Sequence, residues 1–515
     1  MSKKIDIQKI VTLGDLKKSG YQSKSIKEEI RNNLIKSIQD KQNPFEGILG
    51  YEDTVIPDVE RAILSRHNIL FLGLRGQAKT RMARQMVDLL DEYIPIIAGS
   101  EVNDDPLQPL SRFAVDIIAE HGDNTPIHWV HRKERYGEKL ATPDVSVSDL
   151  IGDIDPIKAA NLKLSFADEK VIHYGIIPRS NRGIFVINEL PDLQARIQVS
   201  LFNILQEGDI QIRGFKLRMP LDILFVFTAN PEDYTNRGSI VTPLKDRIES
   251  QILTHYPKSI ETSLAITEQE ANILPAQSSR VEVSDLAKRL IEQVSFEART
   301  NEFVDKKSGV SARLTIAAFE SAVSSAERRA IINNEKHTQV WISDLSGIIP
   351  AITGKIELVY EGEQEGPYEV ALNLVNKSIR TLFVQYFPNP DEIKKRKAPK
   401  KGAAEAPAAE SPYGLITKWF DAGNHVDILL DLKDADKIAA LYKVEGLFGI
   451  VKKHYPKADE QQAALLMEFV LHGLASYSLI SKKMIDGKIE FKDLMGSMMN
   501  LGNLHFEEDD FSDYQ

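Results

Sequence analysis

Hydrophobic residues in the first half of the chain form short continuous runs that alternate with helically spaced patterns. The clearest runs are "NILFLG", "GIFVINE" and "DILFVFTAN", and each ends in small or polar residues. Such runs are typical of strands buried on both faces of a parallel sheet. The pattern predicts an α/β domain over residues 46–258, with ligand sites at the carboxyl ends of its strands.

The segments on either side of this region have different patterns. Residues 1–45 are polar and charged and contain one segment, "SKSIKEEIRNNLIKSIQDK", whose apolar residues recur at helical spacing. This pattern predicts an N-terminal helical extension. Helical spacing dominates residues 259–388 and predicts a helical domain. Residues 389–412 are rich in Lys, Ala, Pro and Glu, so too little apolar surface is available to offset the ordering entropy and a flexible linker is predicted. Residues 413–515 predict a small helical C-terminal domain with an acidic tail.

Composition narrows the function classes. The chain has 515 residues, a formal net charge of −11 and no cysteine, which excludes disulfides and thiolate metal sites. The negative charge argues against nucleic-acid binding, because phosphate contacts call for clustered Lys and Arg. No apolar run approaches the roughly 18–20 residues needed to cross a bilayer, and no signal peptide is evident. We therefore expect a cytoplasmic protein without membrane insertion.

The loop "GLRGQAKT" resembles the phosphate-binding template G-x-x-x-x-G-K-[ST], with alanine at the second fixed glycine. It lies between a predicted strand and a predicted helix, where backbone N–H groups and the helix N-terminus can face phosphates. An ordinary strand-to-helix turn is the alternative explanation. The predicted nucleotide-binding residues are Gly73, Leu74, Arg75, Gly76, Gln77, Ala78, Lys79, Thr80 and Arg81.

Two further strands end in polar residues that suit the same chemistry. In a Walker B motif, the first residue after the strand supports magnesium and the second polarises the attacking water. Asn188 is neutral here but still accepts a hydrogen bond from a magnesium-bound water, and Glu189 is the candidate base. Asn230, at the end of the next apolar strand, suits a sensor 1 residue. A buried strand with a polar end is the alternative explanation for each.

Two arginines complete the set of candidate catalytic residues. "TPLKDRIE" places Arg247 where a helix is expected to face a neighbouring subunit, and "SGVSARLTIAA" places Arg313 at the start of a helix in the second domain. A surface cation is the alternative for each arginine.

The order of the motifs resembles that of a known family. The resemblance covers roughly residues 46–350 and is to the MoxR and magnesium-chelatase ATPase branch of the AAA+ superfamily. Two stretches carry most of its specificity: "TPDVSVSDLIG" resembles the segment leading into the helix-2 insertion of that branch, and "GDIQIRGFKLRMPLD" resembles its hairpin before sensor 1. The motifs occur in this order: "GLRGQAKT", "TPDVSVSDLIG", "RGIFVINE", "QEGDIQIRGFKLRMP", "FVFTANPEDYTNRG", "TPLKDRI" and "GVSARLTI".

The resemblance implies a P-loop αβα sandwich followed by a helical lid and an ATP hydrolase that uses ATP and Mg²⁺. It also implies a ring of identical subunits, usually hexameric, with sites shared between neighbours. Arg247 would then be an arginine finger and Arg313 a sensor 2 residue, while Ile48 resembles part of the segment beside the adenine. Residues implied to act within one subunit are Lys79, Thr80, Asn188, Glu189 and Asn230, with Thr80 and Asn188 on the magnesium side.

Several functions remain open at this point. The first is a MoxR-like ATPase that remodels or activates a partner, by resemblance a protein with a von Willebrand factor A domain, or assists metal insertion. The second is a nucleotide-binding assembly scaffold with little hydrolysis, favoured by Ala78 and Asn188. The third is a true magnesium-chelatase ATPase subunit. A transcription activator would need a G-A-F-T-G-A loop, which the sequence lacks.

Overall fold

The structure is a computed structural model that describes residues 7–165, 168–212, 218–231, 239–392, 411–485 and 487–494. It divides into two compact units, Met1–Tyr256 and Pro257–Gln515. Most of the predicted linker, the acidic tail and the stretch directly after the predicted sensor 1 strand lie outside the described residues. Among the described helices, none combines the length and the apolar character that a membrane span requires.

The first unit is built on a parallel sheet. The strands of this unit are β1 Ile69–Leu72, β2 Tyr93–Ile97, β3 Ile127–His131, β4 Tyr136–Leu140, β5 Gly152–Ile154, β6 Ile172–Tyr174, β7 Gly183–Asn188, β8 Asp209–Gln211, β9 Arg218–Pro220, β10 Ile223–Ala229 and β11 Ser250–Leu253. Five of them pair in parallel in the order β11-β1-β10-β7-β4. The order places β10 between β1 and β7, so the ends of the three predicted strands are neighbours.

Helices cover both faces of this sheet, which confirms the predicted αβα sandwich. They are α1 Leu13–Ser19, α2 Ile26–Gln39, α3 Val55–Leu64, α4 Lys79–Gln85, α5 Arg112–His121, α6 Val147–Leu150, α7 Pro156–Leu162, α8 Ile176–Arg179, α9 Ala195–Ser200, α10 Phe202–Glu207 and α11 Thr242–Asp246.

Alternate residues of the sheet strands supply two hydrophobic clusters, one on each face. On β7, Ile184 and Val186 pack with α2, α3 and α4, whereas Phe185 and Ile187 pack with helices that follow β4 and β7. This alternation is the two-residue period of a strand. Helix α2 contributes Ile30 and other buried residues to the first cluster, so the predicted N-terminal extension packs directly on the sheet domain.

Of the two stretches that carry most of the family resemblance, the first contains α6 and leads into a small antiparallel sheet, and the second forms an antiparallel hairpin. The segment between β4 and β7 contains α6, α7 and α8, and its strands β5 and β6 pair with each other. Strands β8 and β9 pair as a hairpin immediately before β10. Residues 213–217, between β8 and β9, lie outside the described residues.

The second unit is mainly helical, and its segments before and after residues 393–410 contribute to one hydrophobic cluster. The domain boundaries at 388 and 413 therefore stay a prediction. Its helices are α12 Ile260–Glu270, α13 Pro275–Arg280, α14 Asp285–Thr300, α15 Arg313–Ile332, α16 Ile349–Thr353, α17 Tyr360–Glu365, α18 Pro367–Tyr386, α19 Gly414–Asp421, α20 Asp434–Tyr442, α21 Leu447–His454 and α22 Glu460–Ser476.

The second unit also contains short strands, three of them in the predicted helical C-terminal segment. They are β12 Val281–Glu282, β13 Thr338–Gln339, β14 Val426–Leu429, β15 Ser481–Ile485 and β16 Lys488–Lys492. The last three form an antiparallel sheet with the order β14-β16-β15. These strands carry several charged residues, so they lack the continuous apolar runs that marked the strands of the first unit. On β16, the three central residues Ile489, Glu490 and Phe491 are all buried.

Candidate functional site

The loop "GLRGQAKT" leaves β1 and enters α4 at Lys79, at the carboxyl end of the parallel sheet. Gly76 and Ala78 both have left-handed backbone, with φ of 70° and 56°. This conformation costs a residue with a Cβ atom about 1–2 kcal/mol, whereas glycine adopts it freely. At Gly73, a Cβ atom would overlap the Thr254 hydroxyl group. The loop therefore keeps its shape at Ala78 at the expense of local strain.

Side chains from outside the loop hold its backbone in place. The Tyr51 hydroxyl lies within hydrogen-bond distance of the carbonyls of His255 (2.8 Å) and Gln77 (3.1 Å), and the Tyr256 hydroxyl donates to the Arg75 carbonyl (3.0 Å). The Thr254 hydroxyl donates to the side-chain oxygen of Gln77 (2.6 Å). Burial raises the pKa of Tyr51 to about 12, so its phenol is protonated and donates at neutral pH. Sequence reasoning missed these anchors, because contacts to backbone carbonyls leave no motif.

Lys79 is buried and points back along the loop. Its ammonium group donates to the Gly73 carbonyl, to the Leu74 carbonyl (2.9 Å) and to Oδ1 of Asn230 (2.6 Å). Nδ2 of Asn230 in turn donates to Oε2 of Glu189 (2.7 Å). One asparagine thus links the loop lysine to the candidate base.

Thr80, in the first turn of α4, and Asn188, the last residue of β7, contact each other beside the Lys79 cluster. The Thr80 hydroxyl donates to Oδ1 of Asn188 (3.2 Å), and the Thr228 hydroxyl of β10 donates to the same oxygen (3.1 Å). The Glu189 backbone N–H donates to the Thr228 hydroxyl (3.1 Å), and Glu189 has left-handed backbone with φ of 55°. Thr228 therefore ties the end of β7 to β10. It was not predicted, since it lies inside an apolar run.

Glu138 of β4 also joins this cluster and was missed by sequence reasoning. Nδ2 of Asn188 donates to Oε1 of Glu138 (2.6 Å), Arg84 donates to both carboxylate oxygens (2.9 and 3.0 Å), and the Tyr136 hydroxyl donates to Oε2 (2.9 Å). Burial raises the pKa of Glu138, but the hydrogen bonds from Arg84 and Tyr136 lower it by a larger amount. The pKa of Glu138 is therefore below its ordinary value. The carboxylate is therefore ionised at neutral pH.

Among the described residues, Arg247 makes its hydrogen bonds outside this cluster. Arg247 donates to the side-chain oxygen of Gln206 (2.8 and 3.0 Å) and to the Pro243 carbonyl (2.7 Å), and its guanidinium lies 5.0 Å from the Phe202 ring centre. Within the described part of the chain, it makes no hydrogen bond with the loop. Arg313 is exposed at the first residue of α15, in the second unit. Their catalytic roles stay predictions.

The remaining predicted binding residues have mixed environments. Arg75 and Arg81 are exposed, whereas Ile48 is buried in the cluster formed by α2, α3 and the sheet. The Ile48 N–H donates to the Phe45 carbonyl (3.1 Å). Its position beside an adenine ring stays a prediction.

The donor set around Thr80 fits magnesium that is held mainly by substrate phosphates and water. Mg²⁺ prefers oxygen ligands and usually keeps several waters, with few direct protein ligands. The Thr80 hydroxyl and the Asn188 amide oxygen are such hard donors. Over the residues that the structure describes, no group of three or more His, Cys, Asp or Glu side chains is arranged to hold a metal ion alone.

Comparisons with known proteins agree with the fold. The sequence profile of the Sigma-54 interaction domain matches residues 161–252. The magnesium-chelatase subunit ChlI of Chlorella vulgaris is 24% identical over 331 residues, which is 60% of this chain and 86% of that subunit. The magnesium-chelatase 38 kDa subunit of Cereibacter sphaeroides is 24% identical over 239 residues, which is 45% of this chain and 64% of that subunit.

A structure of the complex between magnesium-chelatase subunits BchI and BchD, based on a cryo-EM reconstruction, is also similar. The matched chain is 19% identical, and the match covers 62% of this chain and 98% of that chain with a TM-score of 0.32. The match to the Sigma-54 profile includes Asn188, Glu189 and Asn230, and so contains the ends of β7 and β10 described above. The sequence profile and these relatives support a resemblance to AAA+ ATPases, and the chain is similar at low identity to the magnesium-chelatase subunit ChlI.

Proposed function

We propose that this protein binds ATP with Mg²⁺ and hydrolyses it. The observation that carries the proposal is the hydrogen-bonded chain from the Lys79 ammonium through Asn230 to the Glu189 carboxylate. A cation for the phosphates, a polar positioning group and a carboxylate base meet there at the carboxyl ends of adjacent parallel strands. That is the set of groups that phosphoryl transfer to water requires.

Each residue has a distinct role in this proposal. Lys79 neutralises charge on the β- and γ-phosphates, and Glu189 accepts a proton from the attacking water. Asn230 holds Glu189 and orients that water. Thr80 and Asn188 hold the magnesium shell from the side of β7. Mg²⁺ bound with the nucleotide would supply positive charge that neutralises the phosphates.

We further propose that the active form is a ring, with a hexamer as the expected size. In a ring, Arg247 of one subunit reaches the γ-phosphate bound by its neighbour, where charge builds up in the transition state. Arg313 couples the bound nucleotide to the second unit. The support is the order of the motifs, together with the absence of a hydrogen bond from Arg247 to its own loop over the described residues.

The work done by such a ring is the remodelling or activation of a partner protein, as expected for a MoxR-like ATPase. We expect a partner with a von Willebrand factor A domain, by the family resemblance. A metal-insertion role is the alternative, and the similarity to magnesium-chelatase subunits favours it. A porphyrin-dependent rise in ATP hydrolysis would select the chelatase function, and a rise caused by a von Willebrand factor A domain protein would select remodelling.

A test of the shared site is the specific rate of phosphate release at increasing protein concentration. If Arg247 acts on the neighbouring site, the rate per subunit rises as subunits assemble, and Arg247→Ala keeps nucleotide binding but removes this rise. Arg112→Ala, which changes an exposed arginine on α5, does not remove the rise. A rate per subunit that is independent of concentration for the parent protein contradicts a shared site.

The scaffold function is the second candidate, because the strain at Ala78 and the neutral Asn188 both depart from the usual ATPase pattern. A scaffold binds ATP and assembles, yet releases phosphate no faster than its Glu189→Gln variant. Hydrolysis by the parent protein that the variant lacks excludes it.

A further inference from the structure

The side-chain amide of Asn188 is held from both ends. Its oxygen accepts hydrogen bonds from the hydroxyls of Thr80 and Thr228, and its nitrogen donates to Oε1 of Glu138 at 2.6 Å. A hydroxyl group can donate or accept, so the two threonines would tolerate either end of the amide. An ionised carboxylate only accepts. Glu138 is therefore the group that decides which end of Asn188 faces Thr80.

Glu138 is itself fixed by charged and polar neighbours. The guanidinium of Arg84 binds both of its oxygens, and the Tyr136 hydroxyl donates to one of them. Arg84 lies four residues after Thr80 on α4, so the two side chains share one face of the helix. The helix that begins at the phosphate-binding loop thus helps to hold the carboxylate that orients Asn188.

We propose that Glu138 is a positioning residue that turns the Asn188 amide oxygen toward Thr80 and the magnesium-bound waters. The inference rests on the proposed ATPase function. It identifies Glu138 as the acidic residue that supports the proposed magnesium site. In the usual Walker B motif that carboxylate stands at the end of the strand itself. Here it stands on the neighbouring strand β4 and acts through an amide.

The contact between Glu138 and Asn188 predicts that restoring the acidic residue usual in a Walker B motif is harmful here. The substitution Asn188→Asp restores the usual acidic residue, but the new side chain has no N–H to offer Glu138. Two carboxylates would then stand at hydrogen-bond distance, and like charges that close disfavour each other's ionisation. Asn188→Asp alone is therefore expected to weaken magnesium binding. When it is combined with Glu138→Gln, the glutamine amide donates to the new carboxylate and the contact is restored.

The experiment measures the affinity for the non-hydrolysable ATP analogue AMP-PNP by calorimetry, with Mg²⁺ and with EDTA. The magnesium enhancement is the Kd with EDTA divided by the Kd with Mg²⁺. Because groups that orient metal ligands typically affect metal affinity by about 10–100-fold, Glu138→Ala and Asn188→Asp are each expected to lower the enhancement at least tenfold. The double variant Glu138→Gln/Asn188→Asp is expected to return to within about threefold of the parent.

Three controls separate this role from a loss of structure or of the proposed function. Glu120→Ala removes an exposed carboxylate on α5 and leaves the enhancement unchanged. Affinity with EDTA stays within about twofold of the parent in all position-138 and position-188 variants, which shows that the loop is folded. Lys79→Met weakens AMP-PNP binding at least about thirtyfold if the proposed nucleotide site is correct.

The proposal is overturned if Glu138→Ala keeps the parental enhancement, if Asn188→Asp raises it, or if the double variant is no better than Asn188→Asp. Any of these results combined with weakened AMP-PNP binding in Lys79→Met supports the nucleotide site but rejects the role of Glu138. Unchanged AMP-PNP binding in Lys79→Met contradicts the nucleotide site itself.

Discussion

Two buried lysines, one in each unit, have opposite surroundings. Lys79 donates to two loop carbonyls and to Asn230 at the carboxyl ends of parallel strands. Lys437 is fully buried, donates to the Ser343 hydroxyl (2.7 Å) and lies 4.9 Å from the Trp341 ring centre. Burial lowers the pKa of Lys437. Lys79 lies at the carboxyl ends of parallel strands, where ligands commonly bind in such sheets, whereas Lys437 lies inside a helical core.

The neighbours of Lys437 show what kind of cluster it belongs to. Arg329 binds Asp344 (3.1 Å) and Asp434, and the Trp341 indole N–H donates to Asp434 (2.8 Å). Asp434 and Arg329 come from opposite sides of residues 393–410, so this network joins the two halves of the second unit. Buried ionic networks of structural type perturb pKa values just as active sites do. The comparison teaches that burial of charge alone does not indicate a candidate site. The position of Lys79 at the strand ends is what makes it a candidate.

The largest expected effect concerns the buried ionic network around Arg329 in the second unit. Arg329→Met leaves the carboxylates of Asp344 and Asp434 buried without their cation, so the second unit should lose about 3–5 kcal/mol of unfolding free energy. Denaturant unfolding followed by circular dichroism measures the change. Arg328→Met is the matched control, since that arginine is exposed and its ion pair with Asp431 is worth under about 1 kcal/mol. Equal losses in the two variants would show that the buried network is not structural.

The second prediction compares the two buried lysines by their effect on nucleotide affinity. Lys79→Met removes the charge-assisted contact to phosphate and should weaken AMP-PNP binding by about 2–5 kcal/mol. Lys437→Met removes an equally buried lysine and should leave that affinity unchanged. Calorimetry on both variants gives the answer. If Lys437→Met weakens binding as much as Lys79→Met, the distinction between a functional and a structural lysine is lost.

The smallest effect tests the strain in the phosphate-binding loop. Ala78→Gly relieves a left-handed backbone and should raise the unfolding free energy by about 0.5–1 kcal/mol, after the extra chain entropy of glycine is counted. Ala83→Gly, within the right-handed helix α4, should lower it by about 1 kcal/mol or more. Changes of the same sign in both variants would contradict the assigned strain.

Sequence reasoning proposed candidate residues at the ends of apolar strands. Lys79, Asn188 and Asn230 were predicted from three such strands, and the structure brings them within one hydrogen-bond network. The sheet and its covering helices were predictable for the same reason, because residues buried on both faces leave continuous apolar runs. The helical character of the second unit followed from its spacing.

What the sequence could not predict depends on contacts between distant segments. Glu138 lies on an edge strand with the sequence "YGEKL", which has no apolar run, and only pairing with β7 brings it to Asn188. Thr228 is hidden inside an apolar strand, and Tyr51 acts on a backbone carbonyl. The strands β15 and β16 were missed because they contain several charged residues and show no clean alternation of buried and exposed positions.

The measurement that tests the central claim most directly is the rate of phosphate release from saturating Mg-ATP by the parent protein and by Glu189→Gln. A general base typically contributes 10²–10⁴-fold, so the variant is expected to be slower by roughly that factor while it binds ATP as tightly as the parent. A variant that releases phosphate as fast as the parent contradicts both the role of Glu189 and the proposal that this site is a hydrolytic centre.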